Sequence, residues 1–274
     1  MPTPSPLSVL PEAERAVRRF GRAVLCQLVR CAGSTPGKLG WRLLVRPDGT
    51  RYGNLGGGAF EAMVEADARE LLANGDAVSR VERYYLTEEA VKGEATGMVC
   101  GGMMEVFLEL MTAEPVLVVC GGGPVGQAVA RAGALAGFEC LVADDRDAFR
   151  DPRLFPDGTR LVEVDRDYSG LFLADVDQRE LYVTIVSRCW ETDAAALASV
   201  LRQHPEQLAY LGLMGSRRKI ERVRSEVAEQ GLSLDGVDLH APIGLPLGGD
   251  SPGEIAISIL AEVLQVRSAR SAPD

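Results

Sequence analysis

The stretch Val116-Leu-Val-Val-Cys-Gly-Gly-Gly-Pro-Val-Gly126 decides the fold. Its first five residues are apolar and rich in β-branched side chains, the pattern of a strand buried on both faces. Gly121, Gly123 and Gly126 then fit the G-x-G-x-x-G spacing at a strand-to-helix turn. In that motif the first glycine permits a tight turn, the second lets a diphosphate approach the backbone, and the third lets the helix pack close to the strand. Residues 127–137 carry Ala128, Val129, Ala132 and Ala136 at helical spacing, small enough to lie flat on a sheet. A second strand over 140–143 ends in Asp144-Asp145, about twenty residues past the glycines, where a ribose-binding carboxylate belongs. Strand, small-residue helix, second strand and terminal acid together predict a Rossmann-like, doubly wound parallel sheet. The glycines alone leave two readings open, a bound dinucleotide or close packing with no ligand.

Downstream, residues 160–164, 181–186 and 208–213 read as further parallel strands with helices between them, one over 193–202. Ser251-Pro-Gly-Glu254 is a capping-box signature with proline at the first helical position. The helix it opens is expected to run to about residue 267 and, being apolar almost all round, to be buried on more than one side. Upstream, a helix over 11–19 is predicted to end at Gly21, and a strand over 23–29 to lead into a loop holding Cys31. Residues 41–46 and 50–55 alternate around Pro47-Asp48-Gly49, a hairpin signal. A helix over 59–73, a strand over 78–86 and a strand over 104–111 complete an α+β half. The expected division is an α+β domain over 1–112, a Rossmann domain over 115–267 and a tail over 268–274.

Composition bounds the function. Among 274 residues, 46% are hydrophobic, enough for two cores of ordinary size. The net charge of -10 argues against non-specific binding to nucleic acid or an anionic membrane, which need a positive field. No apolar run approaches membrane-spanning length, and the start lacks a basic region followed by an apolar one, so a cytoplasmic protein is expected. Six cysteines scattered without a C-x-x-C fit reduced thiols, with Cys120 and Cys140 in buried strands. His204 and His240 are the two histidines, too few for a structural zinc site with these cysteines, and neither has an obvious carboxylate partner. No metal held directly by the protein is expected.

Other loops carry candidate chemistry. Gly56-Gly57-Gly58 opens a helix, and its amides either cradle an anion or serve a tight turn. Glu61 follows in the first helical turn, as a functional group or as a partner of the helix dipole. Cys100, in Cys100-Gly101-Gly102, lies in a polar segment, where a thiol is either exposed and reactive or a bystander. Met214-Gly215-Ser216-Arg217-Arg218-Lys219 places three cations in a first helical turn, where the dipole disfavours them unless an anion is bound or nearby acids pair with them.

Taken in order, these motifs resemble the XdhC/CoxI family of accessory factors for molybdenum-containing hydroxylases. The resemblance rests on Gly33-Ser-Thr-Pro36, Gly53-Asn-Leu-Gly-Gly-Gly-Ala-Phe-Glu61, Cys100-Gly-Gly102, the 121–126 glycines with Asp144-Asp-Arg146, Tyr210-Leu-Gly-Leu-Met-Gly-Ser-Arg-Arg-Lys219, His240-Ala-Pro-Ile-Gly-Leu245 and Ser251-Pro-Gly-Glu-Ile-Ala256. It implies a cofactor chaperone that binds molybdenum cofactor, as molybdopterin or its cytosine dinucleotide. The chaperone protects it during sulfuration by a cysteine desulfurase-like partner and inserts it into an apo-hydroxylase. It also implies a homodimer. The glycine loops, Glu61, Asp144, Asp145, Gly215, Ser216, Arg217 and Arg218 would hold the cofactor, with Cys100 near molybdenum. Two departures stand out. Many relatives carry Cys where this chain has Ala59, and Thr-His-x-His where it has Ser187-Arg188-Cys189-Trp190. The second puts a histidine-dependent role of that loop in question and suggests a subgroup whose client is an aldehyde oxidoreductase instead of xanthine dehydrogenase. The competing readings are an NAD(P)-dependent oxidoreductase and a nucleotide-sensing regulatory module.

Overall fold

A computed structural model of the chain describes residues 8–74, 79–86, 102–173, 179–203 and 208–271. Two compact units divide it, Met1–Ala113 and Glu114–Asp274.

The first unit contains α1 (Val9–Phe20), β1 (Arg22–Ala32), β2 (Arg42–Val45), β3 (Arg51–Gly53), α2 (Gly58–Ala73), β4 (Arg80–Tyr85) and β5 (Met103–Thr112). Its strands form an antiparallel sheet in the order β3-β2-β1-β5-β4. The period-2 alternation of β1 sends Val24, Cys26 and Leu28 into the core beneath α2, and Ala23 and Leu25 into a smaller cluster with Val9, Ala13 and Ala16 of α1. Both faces of the central strand are therefore covered. The 47–49 turn forms as expected, with Gly49 at φ +79° and Asp48 accepting from Thr50 N. Two expectations need correction. The first helix starts at Val9, not Pro11, because proline in the first turn forfeits an N–H that has no helical partner anyway. Cys31 lies in β1, not in the loop after it, since pairing with β5 continues through Cys31↔Met104 and Ala32↔Met103.

The second unit contains β6 (Val116–Cys120), α3 (Pro124–Leu135), β7 (Glu139–Asp144), β8 (Arg160–Glu163), β9 (Leu181–Ile185), α4 (Trp190–Gln203), β10 (Leu208–Leu213), α5 (Arg217–Glu229), β11 (Leu239–His240) and α6 (Pro252–Ser271). Among the described residues these strands form one parallel sheet in the order β11-β10-β9-β6-β7-β8. The order reverses between β6 and β9, which makes the carboxyl end of β6 the crevice where such sheets take ligands. Helices α4 and α5 cover one face, over Val118, Cys120, Val183 and Leu213. Helices α3 and α6 cover the other, over Leu117, Val119, Val142 and Tyr182. Every residue of β6 and β9 is buried, the physical reason that both read as unbroken apolar runs.

The capping box of α6 forms, with Ser251 Oγ 2.6 Å from Glu254 Oε2 and Glu254 N donating back to Ser251 Oγ. The expectation that α6 is buried on more than one side holds in part. The helix packs against both α3 and β10, with Ala256, Ile259, Leu260 and Val263 buried in the cluster shared by α3 and the sheet, whereas Ile257 and Leu264 are 61% and 40% exposed on the single chain.

Candidate functional site

The glycine loop after β6 divides its work among three positions. Gly121 has φ +118°, and a Cβ there would lie 2.9 Å from Ser187 Cα. Only glycine satisfies both the dihedral and that approach. A Cβ on Gly126 would overlap the carbonyl oxygen of Gly121 and press on Val119, so this glycine seats α3 against its own strand. A Cβ on Gly123, which caps α3 and has φ -66°, would meet nothing within 4 Å. Gly121 and Gly126 are thus required by the chain itself, and Gly123 is open.

The acids at the end of β7 are already engaged. Asp144 is 2% exposed. Its Oδ2 accepts from Gly122 N at 2.7 Å and from Arg146 Nη2 at 2.9 Å, and its Oδ1 from Arg146 N and Nε, both at 2.9 Å. The Arg146 guanidinium in turn lies over the Phe149 ring. Asp144 therefore braces the glycine loop, and Arg146 neutralises it. Asp145 forms a two-pronged pair with Arg188, Nη1 to Oδ1 at 2.6 Å and Nη2 to Oδ2 at 2.8 Å. Hydrogen bonding from Arg188 holds the Asp145 carboxyl below the usual carboxylate range, and the same contact raises Arg188.

A third cluster joins the ends of β9 and β10. Asp193, with no exposed surface, accepts from Ser187 Oγ and lies 2.5 Å from Lys219 Nζ. Burial raises its pKa, and Lys219 and Ser187 oppose the rise. The Lys219 stem crosses Gly215, where a Cβ would lie 2.8 Å from its Cδ. Ser216 caps α5 by accepting from Lys219 N. Of the three cations in this turn, Lys219 is thus turned inward and neutralised. Arg217 and Arg218 are exposed and have no ion-pair partner among the described residues, Glu221 included.

In the first unit, Gly56, Gly57 and Gly58 all have positive φ, at +127°, +75° and +68°. Glu61, 7% exposed, accepts from Leu55 N at 2.8 Å and Gly57 N at 3.2 Å, and Asn54 takes Gly56 N. Arg51 pairs with the remaining Glu61 oxygen. Of the two readings, an anion cradle or a tight turn, these bonds fit the tight turn: Gly57 N holds the chain's own Glu61 carboxylate and Gly56 N holds Asn54. The family motifs nevertheless meet here. A Cβ on Gly37 would overlap Leu55 O, and one on Gly102 would overlap Ser34 O. Cys100 and Gly101 lie outside the described residues, as does His204.

Sequence reasoning missed two groups that organise the second unit. Asp193 sits inside a predicted helix, with nothing local to mark its link to Lys219. His240 does have carboxylate neighbours. Its ring stacks on Tyr210, Nδ1 lies 3.3 Å from Glu262 Oε1, and Nε2 lies 3.5 Å from Asp238 Oδ2. Glu262 also accepts from Tyr210 Oη and Gly244 N.

The model of the XdhC Rossmann domain matches residues 117–263, and that of the XdhC and CoxI family matches residues 16–85. The chain is 33% identical over 264 residues to the "Uncharacterized protein YqeB" of Escherichia coli (strain K12), covering 96% of this chain and 47% of that one. It is 27% identical over 171 residues to a probable subunit of xanthine dehydrogenase from Bacillus subtilis (strain 168), covering 59% of this chain and 46% of that one. It therefore spans about half the length of the curated relatives it matches. A crystal structure described as a xanthine dehydrogenase from Bacillus halodurans aligns with a TM-score of 0.47 at 20% identity, covering 98% of each chain.

Proposed function

The chain belongs to the XdhC and CoxI family, and from that premise we propose that it is a maturation factor for a molybdenum hydroxylase, one that holds molybdenum cofactor and delivers it to the apo-enzyme. The observation that carries this reading is the pairing, at one sheet edge, of the open backbone at Gly123 with the unpaired cations Arg217 and Arg218. Such a cofactor is a polyanion, and an amide-lined turn with free guanidinium groups fits its phosphates. Gly123, Gly215, Ser216, Arg217 and Arg218 would bind the anionic part. When bound, the cofactor supplies the sulfur-ligated molybdenum that the client uses. By the family resemblance, Cys100 is assigned to the cofactor's metal as part of this proposal. The description of the Bacillus subtilis relative supports a client of the xanthine dehydrogenase class. A cysteine desulfurase-like sulfur donor and a homodimer follow from the resemblance. No helix among the described residues is long and apolar enough to cross a membrane.

Anaerobic, reduced protein incubated with molybdopterin should retain it through gel filtration, read as the fluorescent pterin released by oxidation. A pterin-free protein peak sinks the proposal.

The strand order favours one second reading, a nucleotide-binding module or NAD(P)-dependent oxidoreductase. Against it, Asp144 spends both oxygens on Gly122 and Arg146 and presents no free acceptor to a ribose. A substrate-dependent change in nicotinamide absorbance would restore it.

A further inference from the structure

The Asp145–Arg188 pair has a position that the glycine motif does not require. Asp145 follows the end of β7, and Arg188 lies just beyond the end of β9. These strands flank β6 on its two sides. With neighbouring strands about 4.8 Å apart, their ends are about 10 Å from each other. Side chains joining them at 2.6 and 2.8 Å must cross the end of β6, where the chain turns into Gly121-Gly122-Gly123. The backbone of Ser187, next to Arg188, already lies against Gly121. A guanidinium is thus placed at the mouth of the crevice, and a carboxylate of the same chain satisfies it.

We propose that Asp145 is an internal competitor for Arg188: it occupies the guanidinium in the free protein, and the diphosphate of an incoming ligand takes it over, opening the strap across β6. This rests on the reading of the 121–126 loop as an anion site and adds how that site is guarded. A guanidinium matches a phosphate as well as a carboxylate in geometry, so the exchange replaces one two-pronged contact by another. With 35% of the Arg188 side chain and 15% of Asp145 exposed, solvent and an incoming anion reach the guanidinium side of the pair, which makes the exchange feasible. The consequence opposes the usual expectation for this motif. An acid after the second strand that binds ribose helps the ligand, whereas Asp145 opposes it.

Isothermal titration of the full chain with inorganic pyrophosphate, CDP and ADP tests this. Asp145→Asn should tighten pyrophosphate binding about threefold, the weight of a partly exposed ion pair. Arg188→Gln should weaken binding by a similar factor, which keeps the inference testable if the Asn variant does not fold. In the double variant the gain should vanish. The same gain should appear with whichever nucleotide the site prefers, and that preference separates a cytidine diphosphate source from an adenosine one. Unchanged or weaker binding by Asp145→Asn overturns the inference, as does a gain that survives loss of Arg188. If wild type binds none of the three probes, the anion-site reading has itself failed and takes the inference with it.

Discussion

The ammonium of Lys219 lies 2.5 Å from a carboxylate oxygen of Asp193, a residue with no exposed surface. One buried acid therefore ties the loop after β9, through Ser187, to the turn that opens α5. Removing one partner of a buried pair leaves the other charge uncompensated, which costs about 3 kcal/mol or more when both are fully buried. Lys219 is partly exposed, so Lys219→Ala should cost about 2 kcal/mol in the urea transition of the C-terminal unit. Arg217→Ala and Arg218→Ala should each shift it by less than about 0.5 kcal/mol, while lowering pyrophosphate affinity. Equal destabilisation by all three would refute the assignment of separate roles.

Acid should affect Asp193 and Asp145 in opposite senses. Burial raises the folded-state pKa of Asp193, so its contribution to stability is full below the unfolded carboxylate range and is lost as pH rises through the folded value. The penalty of Lys219→Ala should therefore shrink under mild acid, where Asp193 takes up a proton. Arg188 lowers the folded-state pKa of Asp145, so its contribution is present above the unfolded range and fades as pH falls through the folded value. Being partly exposed, that contribution is at most about 1 kcal/mol. Urea transitions of wild type, Lys219→Ala and Asp145→Asn at neutral and acid pH would show both trends or neither.

Gly126→Ala should destabilise the C-terminal unit by about 3 kcal/mol, because its methyl would overlap the carbonyl of Gly121 in a packed turn. Gly123→Ala should leave the melting curve within about 0.5 kcal/mol of wild type, since its methyl enters open space at a dihedral any residue adopts. If a diphosphate approaches this backbone, the same methyl should nonetheless reduce binding. Undiminished binding by folded Gly123→Ala would mean that the glycines serve packing alone.

Glu61→Ala should cost the N-terminal unit about 2–3 kcal/mol, because the amides of Leu55 and Gly57 lose a charged acceptor in a turn of three positive-φ glycines. Thermal unfolding followed by far-ultraviolet circular dichroism would register the loss. A variant as stable as wild type would show that the carboxylate is not what holds the turn.

Thiol labelling should rank the cysteines. Burial pushes the thiols of Cys26 and Cys120 far up and that of Cys140 up to about 12, so iodoacetamide at neutral pH should leave all three unmodified in the folded protein. Cys100, between a polar segment and two glycines, should react first, and Cys100→Ala should keep the fold while weakening cofactor retention. Peptide mapping that finds Cys120 modified before Cys100 would contradict this.

The parts of the molecule that sequence reasoning found are local. The strand at 116–120, the glycine spacing and the capping box at Ser251 each depend on neighbours within a turn, so period and spacing suffice. What it missed depends on closure across the fold. Asp144 looked like a free ribose acceptor because nothing in its spacing reveals that Gly122 N and Arg146 converge on it. Asp193 and Lys219 meet only when α4 and α5 pack side by side, and His240 meets Glu262 only when α6 returns to the sheet edge. For the helix at 252–271, composition gave burial against more than one element, α3 and β10, but could not say that Ile257 and Leu264 lie outside those contacts.

The sheets also end in a way that bears on behaviour at high concentration. Strand β11 is two residues long, and α6 engages its surroundings by receiving Gly244 N and approaching His240 with one carboxylate. Strand β8, at the opposite edge, begins with Arg160 and ends with Glu163. In the other sheet, β3 has three residues, and β4 carries Arg80, Glu82 and Arg83 along its length. Unpaired strand edges are templates for a second chain, and brevity and charge are the features that blunt them. Among the described residues, these four borders offer little backbone on which a neighbour's strand can add, so crowding should favour contacts between helices over growth of these sheets.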